Sequence, residues 1–515
     1  MKIEAAAERW ILLGLATFAM AWAVVRARVQ AMTIDEAVTY INFVLPKEPT
    51  FWTPHANNHI LNSVLMRIFT GAFGTSHLTA RSGALVGAAV FIVASYFLTA
   101  LVNQGFLLRA ALFVCLVFNP FIFDFLVAAR GYGLASGFLL SAICLVAYAK
   151  RPENASNFKS LAIACVWASA CIGLSALSNF SFAFVDAAAI LLLFLWAAGA
   201  CPIRSARRAG LAAACFLPCL LMAGAVAPLL LQWQEPLIYG SHHLSEMFRG
   251  LQEASFYQLN PVVDDFIFID IPDIALLGFA GFAIWRAALI PVHWRSLRSP
   301  QARWALAFAA VPLAAVAAAL ILHWAMFRLH RTPLPKDRTG IYVVVLTTLS
   351  LGLLAAIPIP TRAGELSRRG LTILMVVSGS YFLLCLRVNY FKEWKWDSDT
   401  DKIYSVLAYY NHTCGLKDVP TGWRYDGSLN FYRVVSGRED IREFQASSTL
   451  SLPQKYPPGK RAYVIYQPDD RDFIADHALS VVYQAPSGAA IVLDPKAEPS
   501  PGESACPLTP PDPGK

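Results

Sequence analysis

Charge is what this sequence has least of. Only 15% of its 515 residues are Asp, Glu, Lys or Arg, and 57% are hydrophobic; ordinary soluble domains carry about 25% and about 45–50%. That ratio excludes a single water-soluble globule. No Cys-x-x-Cys pair and no Cys/His zinc spacing occurs, so a zinc-stapled framework is absent. Basic residues do not cluster on one soluble face either; most lie between hydrophobic runs, and the net charge of +8 therefore makes no nucleic-acid surface. No internal repeat is visible, so the inverted-repeat pattern of many secondary transporters is missing as well.

What is present is a division. Charged residues fill about a quarter of positions 388–515, a soluble composition, and about an eighth of positions 1–387. We therefore expect a membrane domain over 1–387, an α/β domain over 388–495 and a disordered Pro-rich tail over 496–515. A helix crossing the bilayer needs roughly 20 mostly apolar residues. Eleven such runs occur, near 10–26, 83–102, 108–127, 132–149, 160–177, 181–200, 210–231, 273–290, 303–324, 339–357 and 370–387. The first could also be a signal peptide cleaved near Gln30–Ala31, but its apolar length favours a retained span.

Lys and Arg in short loops mark the cytoplasmic side. Arg109, Lys150, Arg207, Arg295 and Arg368 all fall on one side, together with Lys2 and Arg9. The N-terminus is then inside. The longer segments 27–82, 232–272 and 388–515 share the outer side with Asp35, Glu36, Glu235, Asp264, Asp265 and Asp270. Eight of the ten cysteines lie in or beside apolar runs, where they act as small hydrophobes. Cys414 and Cys506 are the exceptions, and a disulfide or two free thiols both fit. In the C-terminal domain we expect a helix through Ile403–Tyr410 capped by Asp399-Thr400, a strand at Ala462–Tyr466, and a hairpin of Leu479–Gln484 and Ala489–Asp494 around Pro486-Ser487-Gly488.

The first outer loop is chemically rich. It reads Thr33-Ile34-Asp35-Glu36-Ala37 directly after the first span, and later Asn57-Asn58-His59. Ile60, Leu61, Val64, Leu65 and Ile68 then recur at helical spacing, which predicts a helix along the membrane surface. On spacing alone, Asp35-Glu36 could equally be a solvated pair and His59 a helix cap.

An acidic pair after the first span, followed by a His/Asn-rich stretch and a surface helix, resembles membrane glycosyltransferases of the GT-C fold, in the branch of protein O-mannosyltransferases and lipid A aminoarabinose transferases. The match runs through DEA at 35–37, NNHILNSVLMRIFTGAFG at 57–74 and Arg81. It continues in NPFIFDFLVAARGYGL at 119–134, with Arg130 and Tyr132 as an Arg-x-Tyr pair, and in LPKDRTGIYVVVL at 334–346, with Pro335, Arg338 and Tyr342. Asn57-Asn58-His59 stands where two branches carry His-Pro-Pro or Lys-Pro-Pro.

The resemblance implies about eleven transmembrane helices of GT-C type, in a bacterial inner membrane, with the C-terminal domain outside. It implies transfer of a sugar from a polyprenyl-phosphate donor to a lipid, glycan or protein acceptor, with inversion. A carboxylate suits the base that activates an acceptor hydroxyl, and Asp35 is assigned that role with Glu36 orienting it or the acceptor. Arginine suits the departing phosphate because its fork binds oxyanions bidentately. Arg130 and Arg338 are assigned there, with Arg81, His59, Tyr132 and Tyr342 as further donor contacts; Arg331 and Lys336 lie on the same edge. The alternatives are lipid-headgroup anchors for the arginines and interfacial belt positions for the tyrosines. No metal site has fixed spacing, although His242-His243 and Asp264-Asp265 leave a divalent ion open. A flippase for a lipid-linked glycan and a non-catalytic envelope-assembly partner remain rival functions. Trp394, Trp396, Trp423 and Tyr425 either seat the C-terminal domain on the membrane or stack on sugar rings.

Overall fold

The computed structural model describes residues 2–47, 55, 57–154, 157–199, 206–232, 239–256, 265–447, 453–499 and 503–509, with the side chains of 2–5, 229–230 and 265–271 excepted. Among these, nine helices are long and apolar enough to cross a membrane: Ala6–Val29, His77–Ala100, Tyr132–Ala149, Phe158–Ser178, Phe180–Ala198, Ala206–Pro228, Pro272–Val292, Pro300–His330 and Asp337–Ala356. The chain is a multi-pass, mainly helical membrane protein.

Two of the eleven expected spans come out differently. The run at 108–127 is a bent pair, Phe106–Val117 and Pro120–Val127, that turns by 54°. The break has a local cause. Asn119 caps the second piece, its Oδ1 accepting from the backbone N–H of Phe121 and Ile122, and Pro120 takes the first helical position, where its missing N–H costs nothing. The run at 370–387 belongs to a helix over Arg362–Leu384. Arg362, Glu365, Arg368 and Arg369 occupy its first turns, so its apolar stretch is shorter than in the other nine.

The chain divides into two compact units. One comprises Met1–Val24, Pro54–Asn62 and Ser82–Leu386; the other comprises Val25–Thr53, Ser63–Arg81 and Arg387–Lys515. In the first, small residues let helices approach closely. A Cβ on Gly87 would meet the backbone N of Leu134 at 2.5 Å, and one on Gly137 would meet that of Phe91 at 2.9 Å.

The second unit takes in most of the 27–82 segment as well as the C-terminal residues. Its sheet is antiparallel, in the order β1 (Ala462–Tyr466), β3 (Ala489–Leu493), β2 (Ser480–Gln484). The Thr400–Cys414 helix contributes Ile403, Leu407 and Tyr410 to a core shared with Leu429, Val464 and Ile491. Asp399 starts that helix without capping it through its side chain; its carboxylate instead accepts from Lys402 Nζ and from the backbone N–H of Ser487. The Ile34–Thr39 helix lies against Asp426–Val435 at Gly427, where a Cβ would meet Ile34 Cγ1 at 2.9 Å.

The expected disordered tail is corrected at 503–506. Cys506 is joined to Cys414 by a disulfide, the backbone N–H of Ser504 donates to Cys414 O, and Arg461 pairs with Glu503 at 3.4 Å.

Candidate functional site

The expected site residues fall into two groups, one in each unit. In the unit that holds the C-terminal residues, the Ile34–Thr39 helix begins with a capping box. Thr33 Oγ1 accepts from the backbone N–H of Glu36 at 3.3 Å, and Glu36 Oε2 accepts from that of Thr33 at 3.0 Å. Glu36 is also the partner of Arg81, whose Nε and Nη2 donate to Oε1 and Oε2 at 2.9 and 2.6 Å. The remaining Arg81 donors go to the carbonyls of Ala27, Gln30 and Ala31. Both side chains are fully buried.

Arg81 is therefore committed to the turn between the first span and this helix. Glu36 is held as a positioning group, and neither side chain is open to a ligand in this structure. Asp35 differs from both: it occupies the first turn of the same helix and is only partly buried. Behind the helix, Asp397 Oδ2 accepts from the backbone N–H of Ile34 at 2.6 Å and Oδ1 from Ser428 Oγ at 2.8 Å. Burial raises the Asp397 pKa well above the ordinary carboxylate range, with the charges of Asp35 and Glu36 acting in the same direction.

In the other unit, the turn between the bent span and the next helix carries Arg130. Gly131 makes that turn: it has φ 74°, and a Cβ there would meet Ser178 O at 2.0 Å. Arg130 is buried, donates from Nη2 to Asn57 Oδ1 at 2.7 Å, and accepts at its carbonyl from Asn179 Nδ2 at 3.2 Å. Asn62 Nδ2 donates to Ala129 O at 2.8 Å, so the Asn57–Asn62 stretch is fastened to this turn at both ends.

His59 lies between, its ring 5.8 Å from that of Tyr132, which in turn meets Phe125 at 4.9 Å. The His59 Nε2 atom is buried and has no hydrogen-bond partner among the described residues. Burial lowers the His59 pKa well below its ordinary value, and the nearby Arg130 and then Arg338 lower it further, so the ring is neutral at neutral pH.

Arg338 packs over the Tyr239 ring at 4.5 Å, and Tyr239 Oη donates to Asp337 Oδ2 at 3.1 Å. Backbone bonds between Ser241 and Leu334 tie the two segments together. Lys336 pairs with Glu246 at 3.5 Å, and Arg331 takes the left-handed cap position of the Pro300–His330 helix. Tyr342 is fully buried between Phe182 and His323, with its hydroxyl unpartnered.

His59, Arg130, Tyr132 and Arg338 are thus brought together, and Asp35, Glu36 and Arg81 are brought together elsewhere in the chain. The residues that the sequence reading missed are Asn57, Asn179, Tyr239 and Asp397. Asn57 could have been found, as it opens the Asn-Asn-His stretch; the others gain their importance only from contacts distant in sequence. His242 and His243 are exposed. Glu235 and Asp264, and the side chains of Asp265 and Asp270, lie outside the described residues. Among the described residues, no three His, Cys, Asp or Glu side chains gather as a metal site. Asn411 of the Asn411-His412-Thr413 sequon is buried, its amide donating to Leu416 O at 3.0 Å. Trp394 and Tyr425 are buried within their unit.

No family model and no curated protein matches this sequence. Solved structures do. ArnT from Cupriavidus metallidurans in the apo state aligns over 95% of this chain and 98% of its own, at 12% identity and a TM-score of 0.50. The chain has the GT-C fold. Two further GT-C structures align with it. One is the same ArnT bound to undecaprenyl phosphate, at 13% identity, 95% and 99% coverage and a TM-score of 0.48. The other is arabinofuranosyltransferase AftD from Mycobacteria, at 12% identity and a TM-score of 0.49, covering 94% of this chain and 40% of that one.

Proposed function

We propose that this GT-C chain is an integral-membrane glycosyltransferase. It takes a sugar from a polyprenyl-phosphate donor and places it on an acceptor hydroxyl at the outer face of a bacterial inner membrane, with the N-terminus cytoplasmic. One observation carries this reading: buried Arg130 and half-buried Arg338 lie near a buried, neutral His59 whose Nε2 has no partner among the described residues. Two guanidiniums and an unpaired imidazole nitrogen form a preorganised cradle for an oxyanion, which gains most where phosphate charge develops.

In the reaction, Asp35 takes the proton of the acceptor hydroxyl. The acceptor oxygen bonds to the anomeric carbon from the face opposite the phosphate. The bond from that carbon to the phosphate oxygen breaks, and the polyprenyl phosphate leaves with the electron pair, held by Arg130 and Arg338. Glu36, fixed by Arg81, positions the helix that carries Asp35. Tyr132 and Tyr342 shape the walls on the donor side. An open, largely apolar cavity of about 270 Å³, lined by Leu251, Phe279, Val344, Leu351 and Met375 among others, suits part of a lipid tail.

The test is transfer of radiolabelled sugar from polyprenyl-phosphate donors in proteoliposomes, comparing the wild type with Asp35→Asn. Wild-type transfer with at least about a 100-fold loss in a normally melting Asp35→Asn is the expected result. Equal transfer by both would remove Asp35 as the base. No transfer by the wild type across donors and envelope acceptors would overturn the enzyme.

A further inference from the structure

In the unit that holds the C-terminal residues, three aromatic rings surround one arginine. The Arg424 guanidinium lies 4.8 Å from the ring centre of Trp423, 4.7 Å from that of Tyr466 and 5.9 Å from that of Trp396. The two indoles meet edge to face at 6.2 Å. Arg424 Nη2 donates to Asp469 Oδ2 at 2.8 Å, so the charge of the cluster is balanced. Trp396, Trp423 and Tyr466 all keep part of their surface open.

This ground also collects polar atoms that protein groups leave unsatisfied. The Nε1 atoms of Trp396 and Trp423, the Tyr425 hydroxyl and Asp470 Oδ1 are buried and have no hydrogen-bond partner among the described residues. Tyr425 and Asp470 are themselves 0% and 2% exposed. The Tyr425 hydroxyl lies in the field of Arg424, Tyr466 and Asp470, which places these groups in one neighbourhood. Burial raises the Asp470 pKa. Buried polar groups are nearly always paired, so unpaired donors and acceptors grouped beside open ring faces call for a polar occupant.

We propose that Trp396, Trp423, Arg424 and Tyr466 form a subsite for an uncharged sugar unit, and that the acceptor of this enzyme is a neutral glycan. Ring faces suit the apolar C–H faces of a pyranose or furanose. The Arg424–Asp469 pair offers both donors and acceptors to hydroxyl groups. A balanced cluster has no spare charge to hold an anionic ligand. Trp396 also adjoins Asp397, which fixes the N-terminus of the Asp35 helix, so one ring of the platform and the anchor of that helix are neighbours in the chain. Sugar binding stands by itself; the role as acceptor rests on the transferase reading above.

The test uses the full-length protein in nanodiscs. Neutral mannan, arabinan, galactan and glucan oligosaccharides are titrated by calorimetry and tryptophan fluorescence, beside a uronic-acid oligosaccharide and an unglycosylated peptide. At least one neutral oligosaccharide is expected to bind, with affinity about tenfold or more weaker in Trp423→Ala and in Arg424→Gln, and partly restored in Trp423→Phe. Melting temperatures check that each variant folds.

Failure of every neutral oligosaccharide to bind overturns the proposal. So does equal affinity in folded Trp423→Ala and Arg424→Gln, or binding of the peptide or the acidic oligosaccharide alone. Binding by a protein that transfers no sugar would uphold the subsite while removing the transferase. Transfer that needs Asp35 but ignores both platform substitutions would do the reverse.

Discussion

Arg81 grips Glu36 with two parallel bonds of 2.9 and 2.6 Å, and neither side chain reaches solvent. The same carboxylate closes the capping box with Thr33, so a single acidic group starts the Ile34–Thr39 helix and joins it to the span opened by His77. Removing one partner of such a pair strands a buried charge, which costs about 3–5 kcal/mol. Arg81→Met should therefore lower the melting temperature sharply. Glu36→Gln should do so as well, because it keeps the cap acceptor but loses the charge. Arg81→Lys should not rescue, as an ammonium cannot reproduce the fork. A melting series in detergent checks this, and Asp35→Asn should stay near the wild type.

His59 gives the protein a pH dependence of definite sign. Its folded pKa is depressed by burial and by Arg130 and Arg338, while the unfolded value is about 6.5. Between those two values the unfolded chain binds the extra proton. Stability is therefore complete above about pH 6.5 and falls as the pH drops toward the folded value. His59→Gln should flatten that slope, which melting temperatures measured down through the acid range would show. A phosphate placed beside His59 raises its pKa, so donor binding should take up protons in weakly acidic buffer, and calorimetry in buffers of different ionisation heat reads that uptake directly.

Much of the site is legible along the chain, and the remainder is not, for a physical reason. Thr33-x-x-Glu36 is a readable helix start, and Asn119-Pro120 is a readable helix start that explains the bend in its span. Arg130, Gly131 and Tyr132 mark a candidate turn, because a chargeable residue beside a glycine is out of place in an apolar run. Nothing in the order of residues ties Arg81 to Glu36 across 45 positions, or Asp397 to Ile34 across 363. The Asp397–Ile34 contact exists only because the C-terminal residues fold together with the 27–82 segment, and the Arg81–Glu36 pair because the start of the His77–Ala100 helix packs against the turn after the first span. Glu36 therefore reads from sequence as a group that orients the base or the acceptor and Arg81 as a donor contact, and the two are found buried against each other.

Arg286 makes a comparable fastening in the membrane unit. It is 1% exposed; Nε donates to Leu354 O at 2.6 Å, Nη1 to Gly364 O and Ser367 Oγ, and Nη2 to Ile357 O. These acceptors belong to the end of one helix, the connection after it and the start of the next. Arg286→Met removes the charged donor from three carbonyls that keep only a backbone N–H or the Ser367 hydroxyl as partner, at about 1.5–3 kcal/mol for each charge-assisted bond lost. The variant should express poorly and melt early, yet the fraction that folds should transfer sugar at the wild-type rate, because the side chain touches no group assigned to the donor. Specific activity per folded molecule separates the two effects.

The Cys414–Cys506 disulfide makes the membrane topology testable without any assay of function. It closes a loop of 92 residues, and in the chain-entropy account a loop of that size contributes on the order of 4–5 kcal/mol by restricting the unfolded chain. Cys506→Ser should therefore destabilise the unit that holds the C-terminal residues and loosen the 503–509 segment from the Thr400–Cys414 helix. A disulfide persists only where thiols are not kept reduced. With the C-terminal residues outside the cytoplasm, alkylation of intact cells with a thiol reagent that cannot cross the membrane should leave Cys414 unlabelled until reductant is added, while Cys506→Ser exposes it to label once the unit is unfolded. If Cys414 is labelled without reductant in freshly lysed cells quenched with acid, the bond is absent in the cell. The C-terminal residues would then face the reducing side, and the outer-face assignment of Asp35 would fall with them.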